Sequence, residues 1–221
     1  MENNRLIPII LSTTPFLHRR KEVTKFLGIE VDGRKSEMIK KLEQKGFIAT
    51  STLGGDILEG KFKGYNVYLC VVECNDKVCS IVVRDKNAVC EADIKRRFNN
   101  LCRKFENSSR YISIGDFKIP RRENLSYEML ENKKRYFATF YQTIRKIDID
   151  KVKDEVKSII SKTNEQIEHL DVIEKECENF ILEYALGLLE KMCVTISIVD
   201  LDVGYVISMC FDNQYNRGGN V

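Results

Sequence analysis

Histidine is scarce in this chain. Among 221 residues there are only two, His18 and His169. A nucleophilic cysteine needs a positioned base, and a zinc site needs four ligands, so both are short of partners from the outset. Long apolar runs are missing too. No segment approaches the roughly 18–20 consecutive apolar residues of a membrane-spanning helix, and no membrane partner is expected. The most apolar stretch near the start, LIPIILSTTPFL at 6–17, follows Glu2 and a single Arg5, and is broken by Pro8 and Pro15. It has no small-x-small cleavage site, so it does not read as a secretory signal. Charge of one sign is not in excess either: 36 basic residues stand against 33 acidic, for a formal net charge of +3. Such a balance gives no global field to draw in nucleic acid or an anionic membrane, and neither is expected as a partner.

What is present is an ordinary globular composition, 43% hydrophobic and 31% charged, long enough to bury a core as one domain or two. The eight cysteines, at 70, 74, 79, 90, 102, 177, 193 and 210, sit mostly in apolar periodic runs. Without an export signal they read as reduced cysteines in a cytoplasmic protein.

Periodicity supplies the elements. Met38, Ile39 and Leu42 lie at helical spacing within 35–46, with Gly46 as the stop. A short strand at 47–52 follows, then ILEGKF, NVYLCVVE and KVCSIVVRD, divided by turns at Gly54-Gly55-Asp56, Lys63-Gly64 and Asn75-Asp76. Residues 90–107 return to helix, with Ala92, Ile94, Phe98, Leu101, Cys102 and Phe105 near one face and Lys95, Arg96, Arg97, Arg103 and Lys104 on others. RYISIGDFKIPRREN is mixed strand and loop; 134–143 alternates as a strand. The longest helical stretch spans 148–192, and VTISIVD and YVISMCFD close the chain as two strands about a turn at 201–204. The expected class is therefore α+β, with helices packed on an antiparallel sheet. After an arm at 1–23, two related helix-plus-strands halves are expected, 24–89 and 90–221, the second carrying a helical insertion at 148–192; the halves can form one continuous domain.

Phe26, Gly28, Ile29, Asp32 and Gly33, followed by Leu42, Lys45, Gly46 and Phe47 and then Leu58, Gly60, Phe62, Gly64 and Tyr65, carry a resemblance. This F-x-G-I-x-x-D-G … L-x-x-K-G-F … L-x-G-x-F-x-G-Y pattern, with the closing CFDNQYN at 210–216, resembles a family of small uncharacterised α+β proteins of Bacteroidales gut bacteria. The resemblance implies a fold similar to the repeats of the β-lactamase inhibitor protein and of the small outer-membrane assembly lipoprotein. It implies no activity and no site residues. Many members begin with a secretory signal, which this chain does not show, and 148–192 reads as an insertion.

Candidate chemistry is sparse. GIEVDGRK, from Gly28 to Lys35, has the glycine spacing of a phosphate loop, but Arg34 and Lys35 stand where Lys and a hydroxyl belong, and Glu30 and Asp32 would repel phosphate. It reads as a turn opening a helix. If Asn75-Asp76 closes a two-residue hairpin, residue 74 faces 77, 72 faces 79 and 70 faces 81, placing Cys70, Cys74 and Cys79 on one face; they read as buried structural thiols. Cys177 and His169 are about 12 Å apart along a helix, too far for contact. Glu174, Glu176, Glu178 and Glu183 read as a solvated helix face, and Asp200, Asp202 and Asp212 as turn chemistry. The basic runs at 18–21, 95–97, 121–122 and 133–135 lie near Phe98, Tyr136 and Phe137, but each is short and interleaved with acids. No residue is therefore assigned a catalytic, cofactor-binding or metal-binding role, and no cofactor is expected. The chain reads as a non-enzymatic protein acting through contact with a protein partner. The alternative is a small-molecule or peptide binder, or an unrecognised enzyme, using the sheet face.

Overall fold

The structure, a computed structural model, describes residues 22–50, 57–143, 187 and 191–217. The chain divides into two units, Met1–Glu22 with Ile144–Leu189, and Val23–Thr143 with Glu190–Val221; the elements below belong to the second. The insertion expected at 148–192 lies almost wholly outside the described residues. In chain order come β1 (Lys25–Phe26), β2 (Ile29–Glu30), α1 (Lys35–Glu43), β3 (Ile48–Thr50), β4 (Ile57–Phe62), β5 (Tyr65–Cys74) and β6 (Lys77–Asp85). Then follow α2 (Glu91–Glu106), β7 (Tyr111–Ile112), α3 (Leu125–Leu130), β8 (Phe137–Gln142), β9 (Met192–Leu201) and β10 (Gly204–Asn213).

β1 and β2 form a small hairpin; the other eight strands form one antiparallel sheet in the order β3-β4-β5-β6-β10-β9-β8-β7. This is the α+β class that the periodicity predicts. β3 to β6 come from 24–89 and β7 to β10 from 90–221, joined where Val83 faces Met209 and Ile81 faces Phe211. Strand alternation sends Val67, Leu69 and Val71 of β5 and Ile81 and Val83 of β6 into the core, while Tyr68, Cys70 and Val72 face the other way and are only partly buried. Met38 and Leu42 of α1, and Ile94, Phe98, Leu101, Cys102 and Phe105 of α2, close over the same inner face.

Two aromatic clusters anchor the two ends of that core. Phe26, fully buried, packs on Phe211 (4.8 Å between ring centres), Phe62 (5.1 Å) and Phe47 (6.2 Å). Phe105 stacks on Phe140 at 5.0 Å and meets Tyr111 edge-on at 4.8 Å. The β1–β2 turn that delivers Phe26 places both Leu27 (φ 49°) and Gly28 (φ 83°) in the left-handed region, as a tight hairpin turn requires. Gly60 serves a different need: a Cβ there would lie 2.6 Å from the Phe47 ring.

Two expectations are corrected. Asn75 (φ 51°) and Asp76 (φ 60°) do form the tight turn, and Cys74 faces Lys77. Beyond them a bulge intervenes between Val72 and Glu73, so that Glu73 faces Val78, Val72 faces Ser80 and Cys70 faces Val82. Cys79 becomes the extra, unpaired residue of β6. It is drawn towards Cys74, and the two form a disulfide with Cα atoms 5.6 Å apart. Reduced cysteines therefore describe Cys70, Cys90, Cys102, Cys193 and Cys210 but not this pair. Second, α3 lies in a region left without an element in the sequence reading. Asn124 caps it, its Oδ1 accepting from the N–H of Tyr127 at 3.0 Å.

Candidate functional site: a basic pocket beside the second half of α2

The site begins with a charge in the wrong place. The sequence reading put Arg97 among the solvated cations of α2, but it stands three residues after Ile94 and four before Leu101, which at 3.6 residues per turn is the buried stripe. The structure buries it to 7% exposure. Its partner is Asp85, at the end of β6 and 8% exposed. Arg97 Nε donates to Asp85 Oδ2 at 2.7 Å and Nη2 donates to Oδ1 at 2.5 Å, a side-on bidentate pair. The backbone N–H of Ile207 in β10 also donates to Asp85 Oδ2, at 3.3 Å, so the carboxylate ties α2 to the centre of the sheet. The guanidinium carbon lies 3.0 Å from the ring centre of Tyr65, a cation–π stack that closes one flat side. Arg97 is thus held on an edge and a face. Its remaining nitrogen, Nη1, is buried and has no hydrogen-bond partner.

Arg97 and Tyr65 form part of the wall of a cavity of about 190 Å³. Leu101 and Asn100 line it from α2, Arg103 and Lys104 from the last turn of that helix, and Lys63 from the turn between β4 and β5. That turn is tight, with Lys63 (φ 50°) and Gly64 (φ 89°) both left-handed, and it projects the Lys63 stem over the rings of Phe62 and Phe105, with Nζ 5.6 and 5.4 Å from their centres. Partial burial, and then the positive charge of Lys104, lower the pKa of the Lys63 ammonium from its usual value. Arg103 and Lys104 also complement the negative end of the α2 dipole. That local role does not account for Lys63, which comes from a different element. Among the described residues Lys63, Arg103 and Lys104 form no ion pair, and no carboxylate lines the cavity. Chemically the pocket offers ammonium, guanidinium and amide donors around an apolar floor. Its charged side chains are all hydrogen-bond donors.

The other candidates disperse. Lys95 donates to Glu91 Oε1 (2.9 Å) and to the carbonyls of Arg121 (3.0 Å) and Glu123 (2.7 Å); Arg96 pairs with Asp93 at 3.1 Å. Phe98 is core, and the Tyr136 hydroxyl donates to Glu123, which Lys134 also engages. Those two hydrogen bonds hold the Glu123 carboxyl below its usual range. Asp212 pairs with Arg217 at 3.0 Å. In the GIEVDG loop, Asp32 accepts from the N–H of Gly33 at 2.7 Å and from Asn216 at 2.8 Å, so its own carboxylate takes donors that an anion would need. Among the described residues no group of His, Cys, Asp and Glu is placed to hold a metal ion, and no helix is long and apolar enough to cross a membrane. His18, His169, Cys177 and the acidic residues at 174–183 lie outside those described. Comparison with family models, with curated proteins and with solved structures finds no match to this chain.

Proposed function

We propose that this chain is a non-enzymatic binding protein that works through contact with a protein partner, and that the pocket beside α2 anchors an anionic group of that partner. One observation carries the reading: Lys63, Arg97, Arg103 and Lys104 converge on a single cavity in which only Arg97 has a counter-charge. Holding like charges together lowers the stability of the free protein, and an anion bound among them offsets that cost. Every group they present is a donor, and Tyr65, 46% exposed at the rim, adds the kind of aromatic surface that contact sites favour. A cytoplasmic setting belongs to the same proposal, supported by five free cysteines against one bonded pair among the described residues, as does kinship with the Bacteroidales family that the glycine and aromatic pattern suggests.

The test is affinity capture from the native cell with the unaltered protein and with a Lys63→Glu/Lys104→Glu variant. A protein retained by the first, lost from the second and released by moderate salt supports the reading. Equal retention by both refutes it.

A further inference from the structure

The anion that this pocket takes can be narrowed, on the basis of the binding role just described. We infer that it is a phosphate monoester carried on a protein partner, a phosphorylated side chain rather than a plain carboxylate. Charge is the first argument. Asp85 cancels Arg97, which leaves Lys63, Arg103 and Lys104 unbalanced. A carboxylate removes one unit of that excess, whereas a phosphate monoester brings about −1.5 to −2 at neutral pH and three acceptor oxygens. Geometry is the second. The three free cations come from two directions, Lys63 from the β4–β5 turn and Arg103 and Lys104 from α2, over an Arg97 that cannot swing away. A planar carboxylate is best met by one fork, which Arg103 alone could supply, leaving Lys63 and Lys104 unused. Donors spread around a concavity suit a tetrahedral group. Burial, and then the charge of Lys104, lower the pKa of Lys63, and a dianion seated beside it would favour the charged form again.

The shape of the site separates a phosphorylated side chain from nucleic acid. Single-stranded nucleic acid is held along a basic groove with aromatic platforms for successive bases. Here the free cations gather at one cavity of about 190 Å³, and one face of the single lining ring, Tyr65, is taken by Arg97. One phosphoryl group fits that arrangement better than a series of them.

Titration calorimetry and amide chemical shifts of the full chain test the inference. The probes are inorganic phosphate, sulfate, and three short alanine peptides that differ only in a central Ser, Glu or phosphoserine; a single-stranded oligonucleotide is the fourth. The phosphoserine peptide is expected to bind at least tenfold more tightly than the Glu peptide, with shifts at Tyr65 and Asn100. Lys63→Gln and Lys104→Gln are each expected to weaken it tenfold or more, and both residues are exposed, so the fold should survive. Equal affinity for the Glu and phosphoserine peptides overturns the inference and leaves the binding role standing. Tighter binding of the oligonucleotide overturns it in favour of nucleic acid. A phosphoserine response unchanged in both variants overturns it by placing the site elsewhere. No response to any anion overturns the inference and the binding role together.

Discussion

The two ends of α2 use positive charge in opposite ways. Near its start, Lys95 is surrounded by acceptors: a carboxylate one turn back and two carbonyls from the segment leading to α3. Every proton on its ammonium has a destination, and the result is a clamp between the helix and that segment. Near its end, Arg103 and Lys104 face Lys63 with no acid between them. Between the two lies Arg97, which shares both characters: matched to Asp85 along one edge, unmatched at Nη1. The contrast teaches that counting cations along a helix says little. A cation whose acceptors come from its own fold holds structure, and one without them is free to hold something else.

The largest effect expected from disturbing this contrast is at Arg97. Arg97→Met should cost about 3–5 kcal/mol in denaturant unfolding, because it leaves Asp85 buried and charged without a partner. Pairing it with Asp85→Leu should recover most of the loss, since removing both charges leaves no orphan. If the single variant costs less than about 1 kcal/mol, the pair is not the buried tie described here. Lys95→Met should cost less, about 1–3 kcal/mol, through the lost charge-assisted hydrogen bonds, and should loosen the segment around Glu123, seen as faster amide exchange there.

The neighbouring Glu123 adds a pH signature. Its pKa is held below the usual glutamate value by Lys134 and Tyr136, so its contribution is present above that value and lost as pH falls through the lowered one. Glu123→Gln should therefore lower the neutral plateau and flatten the acid limb, so that the two stability curves converge as pH falls below about 4.3. At the other end of α2, Lys104→Ala should change stability by no more than about 0.5 kcal/mol; a larger loss would make it a structural cation like Lys95. The smallest perturbation is alkylation, which compares the ends without a mutation. Cys90, exposed just before α2, should react promptly, whereas Cys102 is buried and its thiol is pushed up to about 12 by desolvation and Glu106. Mass mapping after a short iodoacetamide pulse should find the label on Cys90 and not on Cys102.

Much of the scaffold was legible in the sequence, because alternation and 3.6-residue spacing are local signals. The α1 stripe, the five strands of 57–85 and 192–213 and the turn at Asn75-Asp76 all follow from neighbours within a few residues. The bulge at Val72/Glu73 did not, since nothing in KVCSIVVRD marks which residue is the extra one, and the Cys74–Cys79 bond depends on it. α3 was missed because six residues show less than two turns of periodicity. Arg97 was readable in principle. Its position on the α2 stripe was plain, but its residue type argued for solvent, and only a partner 12 residues away resolves the conflict. The pocket itself joins Lys63 of the first half to Lys104 of the second, and no short window on the sequence contains both.

The sheet order carries a consequence for how the chain is made. β10 is the last described strand in sequence, yet it sits in the middle, between β6 and β9. Its Ile207 reaches back 122 residues to Asp85. On a ribosome the earlier strands emerge with β6 as an open edge bearing Ile81 and Val83, and nothing can close that edge until 204–213 has cleared the exit tunnel. Pairings that distant form late and slowly, and an uncovered apolar edge is where neighbouring chains stick. The nascent protein therefore depends on a trailing segment to seal it, so stalling or truncation before Gly204 should yield aggregation rather than a smaller stable domain.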